Sequence, residues 1–187
     1  MKLLITLIAA MTLSVHAFSQ DELPAISQSN SKDFFIPASV SKKYSLEKGQ
    51  EDEWMIVYNN MGDDATIQRV NDIRWQGKTK EAAEKWYDES KQLLSEGSDD
   101  ITSQMTKPAG VGKWNVYGMN KQMKKMMDAM GVKQNQYNFT FTVDKYVAKI
   151  FVSTSEKQTV QDAWKYAKEG LRAMLTASGK KSIADSL

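Results

Sequence analysis

Tyr137-Asn138-Phe139-Thr140-Phe141-Thr142-Val143, then Asp144-Lys145, then Tyr146-Val147-Ala148-Lys149-Ile150-Phe151-Val152 is the stretch that decides the fold. Tyr137, Phe139, Phe141 and Val143 alternate with polar residues, the period of a half-buried strand. Asp144-Lys145 supplies a turn, and the mostly apolar run behind it returns the chain as the second strand of a hairpin.

Beyond the hairpin, Thr159 to Ala177 reads as a helix. Thr159 with Asp162 three residues on resembles a capping box with Asp in place of Glu or Gln. Val160, Ala163, Trp164, Ala167, Leu171 and Leu175 form its apolar stripe, and Gly179 ends it. Residues 179–187 read as a loose tail.

Before the hairpin lies Gly118 to Gly131, with five of the chain's eleven methionines. Met123, Met126, Met127 and Met130 stand four, seven, eight and eleven residues after Met119, so on a helix all five share one face. Lys121, Lys124 and Lys125 take the other side. Methionine fills irregular core gaps, but a stripe of little else also re-packs readily around varied partners. Upstream, Lys107 to Lys113 reads as a hairpin loop. It lacks the Gly-Lys-Ser/Thr ending of a phosphate-binding loop. Strands are expected on either side of it, over Ile101–Thr106 and Trp114–Tyr117. Lys80 to Glu96 is the clearest helix, capped by Thr79, with Ala82, Ala83, Trp86, Tyr87, Leu93 and Leu94 on one face and Gly97 as its stop. Ala65–Trp75 fits helix and strand almost equally, and strand is preferred. Trp54–Tyr58 reads as a buried strand and Val40–Leu46 as a short edge strand.

Strands interrupted by helices, with at least one hairpin, predict a single α+β domain over residues 34–178: an antiparallel sheet covered by two or three helices. The order of elements is loosely similar to that of PsbP-type sandwiches, a likeness of order carried by no motif.

The amino terminus has a different character. Lys2, an apolar run from Leu3 to Val15 and small residues at Val15 and Ala17 make the three parts of a secretory signal peptide over residues 1–17. The run is too short to span a bilayer, and no later segment is apolar enough to do so. The polar residues 18–33 follow as a flexible lead-in. A secreted or periplasmic location is therefore expected, with no membrane span after cleavage.

Composition limits the chemistry. The chain has no Cys, and its single histidine, His16, lies within the leader. The mature domain cannot use an imidazole-based triad, an ordinary zinc site, His-ligated haem or thiol–disulfide exchange. Carboxylate, Lys or Tyr acid–base chemistry, oxygen-ligand metals and Met thioethers remain. A near-neutral balance of 25 basic and 23 acidic residues gives no field for nucleic acid. Asp63-Asp64 and Asp99-Asp100 read as turn or capping residues. Asn138-Phe139-Thr140 matches a glycosylation acceptor but falls within a strand. No cofactor is expected. The site expected from sequence is a non-enzymatic binding surface for a protein, peptide or lipid, formed by Met119, Met123, Met126, Met127 and Met130 with Trp114. The alternatives are a carboxylate-based hydrolase and a weak thioether copper site.

Overall fold

The structure is a computed structural model that describes residues 35–51, 55–60 and 66–187. The leader, the lead-in, Phe34, Trp54 and Asp63-Asp64 lie outside the described residues.

The elements in chain order are α1 (Ala38–Lys43), β1 (Glu47–Glu51), β2 (Met55–Asn59), β3 (Ile67–Gln76), α2 (Lys80–Ser95) and β4 (Ser98–Asp100). There follow a 3₁₀ turn (Thr102–Gln104), β5 (Trp114–Asn120), α3 (Lys121–Ala129), β6 (Gln134–Val143), β7 (Tyr146–Ser155), α4 (Val160–Ala177) and α5 (Lys181–Ser186). All seven strands form one antiparallel sheet in the order β1-β2-β3-β7-β6-β5-β4. The expected α+β domain with an antiparallel sheet is the fold observed.

The β6–β7 hairpin lies inside the sheet, with Val143 opposite Tyr146 and Asp144 at φ 50° in the turn. Asp tolerates that left-handed conformation better than most residues. Val70, Phe139, Phe141, Ala148, Ile150 and Val152 point to one face, where α4 lays down its stripe with Ala163, Ala167, Leu171 and Leu175 fully buried. The capping box at its start is complete: Thr159 accepts from the Asp162 N–H, and Asp162 accepts from the Thr159 N–H at 3.0 Å.

A buried ion pair sits within this apolar layer. Arg74 Nε lies 2.7 Å from Asp72 Oδ1, and Arg74 Nη2 donates to Asp72 Oδ2 at 3.1 Å. The Ile36 N–H donates to the same oxygen, and Arg74 Nη1 donates to Met174 Sδ. Phe35 and Phe141 flank the guanidinium at 6.0 and 5.9 Å. The Nε–Oδ1 contact lies off the hydrogen-bond direction and acts as an ion pair only. Burial pushes the Asp72 carboxyl up, and the Arg74 charge opposes that push. The close approach requires Gly170 in α4, since a Cβ there would come within 2.5 Å of Arg74 Nη2 and 2.7 Å of Ile150 Cδ1.

Four sequence expectations need correction. Val40–Leu46 is mostly helical: Pro37 accepts from the N–H groups of Val40 and Ser41, which starts α1, and the neighbouring strand begins only at Glu47. Ile101–Thr106 holds a 3₁₀ turn, because Asp100 accepts from the Thr102 N–H and bends the chain directly after β4. Met119 belongs to β5 and not to a helix. The tail is ordered: α5 packs on α4, with Ala184 buried and its carbonyl accepting from Arg172 Nε. Of the ambiguous segment 65–75, Ile67 to Trp75 lies in strand β3, as preferred, and Ala65 lies outside the described residues.

Candidate functional site

Two places on the molecule depart from an ordinary apolar core. The first is the methionine segment. Asn120 stops β5 and caps α3, its Oδ1 accepting from the N–H groups of Gln122 and Met123. The helical face is therefore shorter than the spacing implied, with Met119 on the strand before it. Met119 and Met127 are buried and anchor the segment. Met123 and Met126 are half-buried, and Met130, which caps the carboxyl end of α3, is 44% exposed. The lysines carry local ion pairs, Lys121 with Asp99 at 2.8 Å and Lys124 with Asp128 at 3.3 Å. Trp114 is not beside the methionines at an open surface. It is half-buried against the main core, edge-on to Trp164 at 5.2 Å and near Phe139 and Phe141, with its Nε1 unpartnered.

The second place is the sheet face opposite α4, which sequence reading did not single out. Strand alternation puts Asn115 and Tyr117 of β5, Asn138 and Thr140 of β6, Lys149 of β7 and Asn71 of β3 on this face, all buried. Asn115, Thr140 and Lys149 are directly opposite one another in adjacent strands. Helix α2 lies across β7, β6 and β4 and covers them with Ala83, Trp86, Tyr87 and Ser90. Among the described side chains, its apolar cluster joins Ala82, Ala83 and Trp86 to Val147 and Trp75.

The Lys149 amine is the centre of this layer. The residue is 1% exposed, and its Nζ lies 4.8 Å from the Trp86 ring and 5.8 Å from the Trp75 ring. Those two indoles pack 4.1 Å apart. Among the described residues no carboxylate pairs with the amine and no acceptor receives its protons. Burial pushes its pKa down to about 7, while the ring faces attract the cation and oppose the push. Neighbouring polar groups are also unsatisfied. Asn115 is without partner at both Oδ1 and Nδ2, and so is the Tyr87 hydroxyl. Burial raises the Tyr87 pKa, so that hydroxyl remains a donor. Asn138 accepts from Thr140 Oγ1 at 3.1 Å, which uses the apparent glycosylation acceptor inside the fold.

The remaining expected residues have local duties. Asp99 pairs with Lys121, and Asp100 caps the 3₁₀ turn. Among the described residues no three His, Cys, Asp or Glu side chains form a metal-holding group. No helix there is long and apolar enough to cross a membrane.

Comparison with known protein families, with characterised proteins and with solved structures finds no match for this chain. The loose likeness of element order to PsbP-type sandwiches gains no support.

Proposed function

We propose that the mature chain is an exported, non-enzymatic binding domain whose contact surface is the open side of α3. The observation that supports this reading is the graded exposure of the methionines. Two are anchored in the core, two are half-open, and Met130 stands out among the described residues as a large exposed hydrophobic side chain. Flexible thioethers presented on an anchored helix suit an apolar segment of a protein, peptide or lipid. Export rests on the leader pattern at residues 1–17.

The test is a double variant, Met123→Lys with Met126→Lys. Half-buried positions accept a lysine that snorkels, so its melting temperature should stay within a few degrees of the parent. A photo-crosslinker at Met130 should trap a discrete partner in the native envelope, or the parent should float with lipid vesicles. The double variant should do neither. Unfolding of the double variant, or a parent that neither crosslinks nor floats, would remove this surface as the site. Intact mass of the native protein checks export: loss of residues 1–17 is expected.

A further inference from the structure

We propose that Lys149 is a reactive amine that condenses with a small aldehyde admitted beneath α2, forming an imine. The proposal concerns a site separate from α3 and does not depend on the binding reading above.

The geometry excludes the usual duty of a buried lysine, which is to neutralise a buried carboxylate. The acid on β3, Asp72, projects to the other face and is held by Arg74. Tyr87 and Glu84 of α2, Tyr117 of β5 and Arg69 of β3 lie on the same side of the sheet, but none of them acts on Lys149, whose pKa is lowered by burial alone. β6 contributes only Asn, Gln and Thr to this face. Glu84 is paired with Lys80 at 3.7 Å, and Arg69 donates to Asn71 at 3.0 Å. The amine is thus caged by two indole rings with nothing to hold its proton. A neutral amine is a nucleophile, and in a mature chain without Cys or His this is the side chain suited to covalent chemistry at neutral pH.

The product suits the site as well. The amine lone pair attacks the carbonyl carbon, and the carbonyl oxygen leaves as water with the two amine protons, giving Lys149–N=CH–R. The imine is neutral, so it removes the cost of holding a desolvated charge in the buried site. The unpartnered Asn115 amide and Tyr87 hydroxyl are groups that a hydroxyl on the incoming aldehyde could satisfy. Access requires α2 to yield, and α2 covers the polar band of Asn115, Tyr117, Asn138 and Thr140 beside its apolar cluster with Val147 and Trp75. Such elements open at lower free energy than core ones.

The test uses the full mature chain at pH 7 with glycolaldehyde and sodium cyanoborohydride, which adds hydride to the imine carbon and fixes it as a secondary amine. Peptide mapping then compares Lys149 with exposed lysines such as Lys121 and Lys165. A surface lysine at pH 7 is neutral in only one molecule in about 2,500. Lys149, its pKa pushed down to about 7 by burial, holds a far larger neutral fraction. We expect Lys149 to be labelled at least about tenfold faster than the exposed lysines. Its labelling rate should level off above pH 8 while theirs continues to rise. Lys149→Met, folded by circular dichroism, should lose that fast label alone. Labelling of Lys149 no faster than the exposed lysines, or a fast label that survives in Lys149→Met, would overturn the proposal.

Discussion

The two faces of the sheet bury opposite kinds of chemistry under helices of similar length. Beneath α4 the surface is mostly aromatic and aliphatic; Asp72–Arg74 gains a backbone N–H and a thioether, Ser41 and Tyr166 share a hydrogen bond, and Trp114 Nε1 is left without a partner. Beneath α2 the surface is a band of Asn, Thr and Tyr around a lysine that has no anion, with Asn115 and Tyr87 unsatisfied. A buried polar group without a partner costs about 1–3 kcal/mol, whereas a fully connected one costs little. The α4 face is therefore the stabilising half of the domain. The α2 face stores unfavourable interactions, as functional sites do.

The comparison is broken most severely at the ion pair. Asp72→Ala leaves Arg74 charged and buried between Phe35, Phe141 and Gly170. It also strands the Ile36 N–H, and so loosens the segment that leads into α1. Removing one partner of a buried pair costs about 3–5 kcal/mol. Urea unfolding should show a loss in that range. A loss below about 1 kcal/mol would place the pair in a wetter environment than its complete burial implies.

On the opposite face, removing a charge should have the opposite sign. Lys149→Met keeps the length of the side chain and its contact with Trp75 and Trp86 while deleting the amine. A gain of about 1–3 kcal/mol at pH 7 is expected, since an unpaired buried polar group is lost. The pH dependence follows from the lowered pKa. Unfolded lysine holds its proton up to about pH 10.4, whereas folded Lys149 releases it near pH 7. Between these limits the unfolded state binds more protons, so parental stability rises from pH 7 towards pH 10 and is lost again as pH falls to 7. Lys149→Met should lack that part of the slope. If Met destabilises at pH 7, the amine has a partner and the two faces are more alike than they appear.

What could be read in advance divides along the same line. The alternation of Tyr137, Phe139, Phe141 and Val143 and the stripe from Val160 to Leu175 specify the α4 face, because apolar periodicity reports directly on a greasy interface. The α2 face was illegible for the same reason. Asn138, Thr140 and Thr142 look like the solvent side of a strand, and only the placement of α2 buries them. Lys149, alone within an otherwise apolar run, was the one available signal: a charge at a position where the pattern calls for burial. The Met119 error was of another kind. Spacing by itself cannot see that Asn120 caps the helix and leaves the first methionine behind on β5. Pro37 and Asp100 likewise act through backbone hydrogen bonds that periodicity does not register.

The smallest expected effect sharpens the comparison furthest, because it asks whether the two helices unfold together. Each begins at a threonine. Thr159 caps α4 reciprocally with Asp162, whereas Thr79 caps α2 through a single bond, its Oγ1 accepting from the Ala82 N–H at 3.2 Å. Replacing a threonine cap with alanine costs about 0.5–2 kcal/mol of local helix stability. If α4 is part of the cooperative core, Thr159→Ala should lower global stability by about 1 kcal/mol and speed exchange throughout the sheet. If α2 opens by itself above its polar layer, Thr79→Ala should change urea unfolding by less than about 0.5 kcal/mol. It should nonetheless speed amide exchange from Ala83 to Ser90 by severalfold. Equal global losses from the two variants would mean that α2 opens only with the whole domain. The route to Lys149 would then lie elsewhere than beneath this helix.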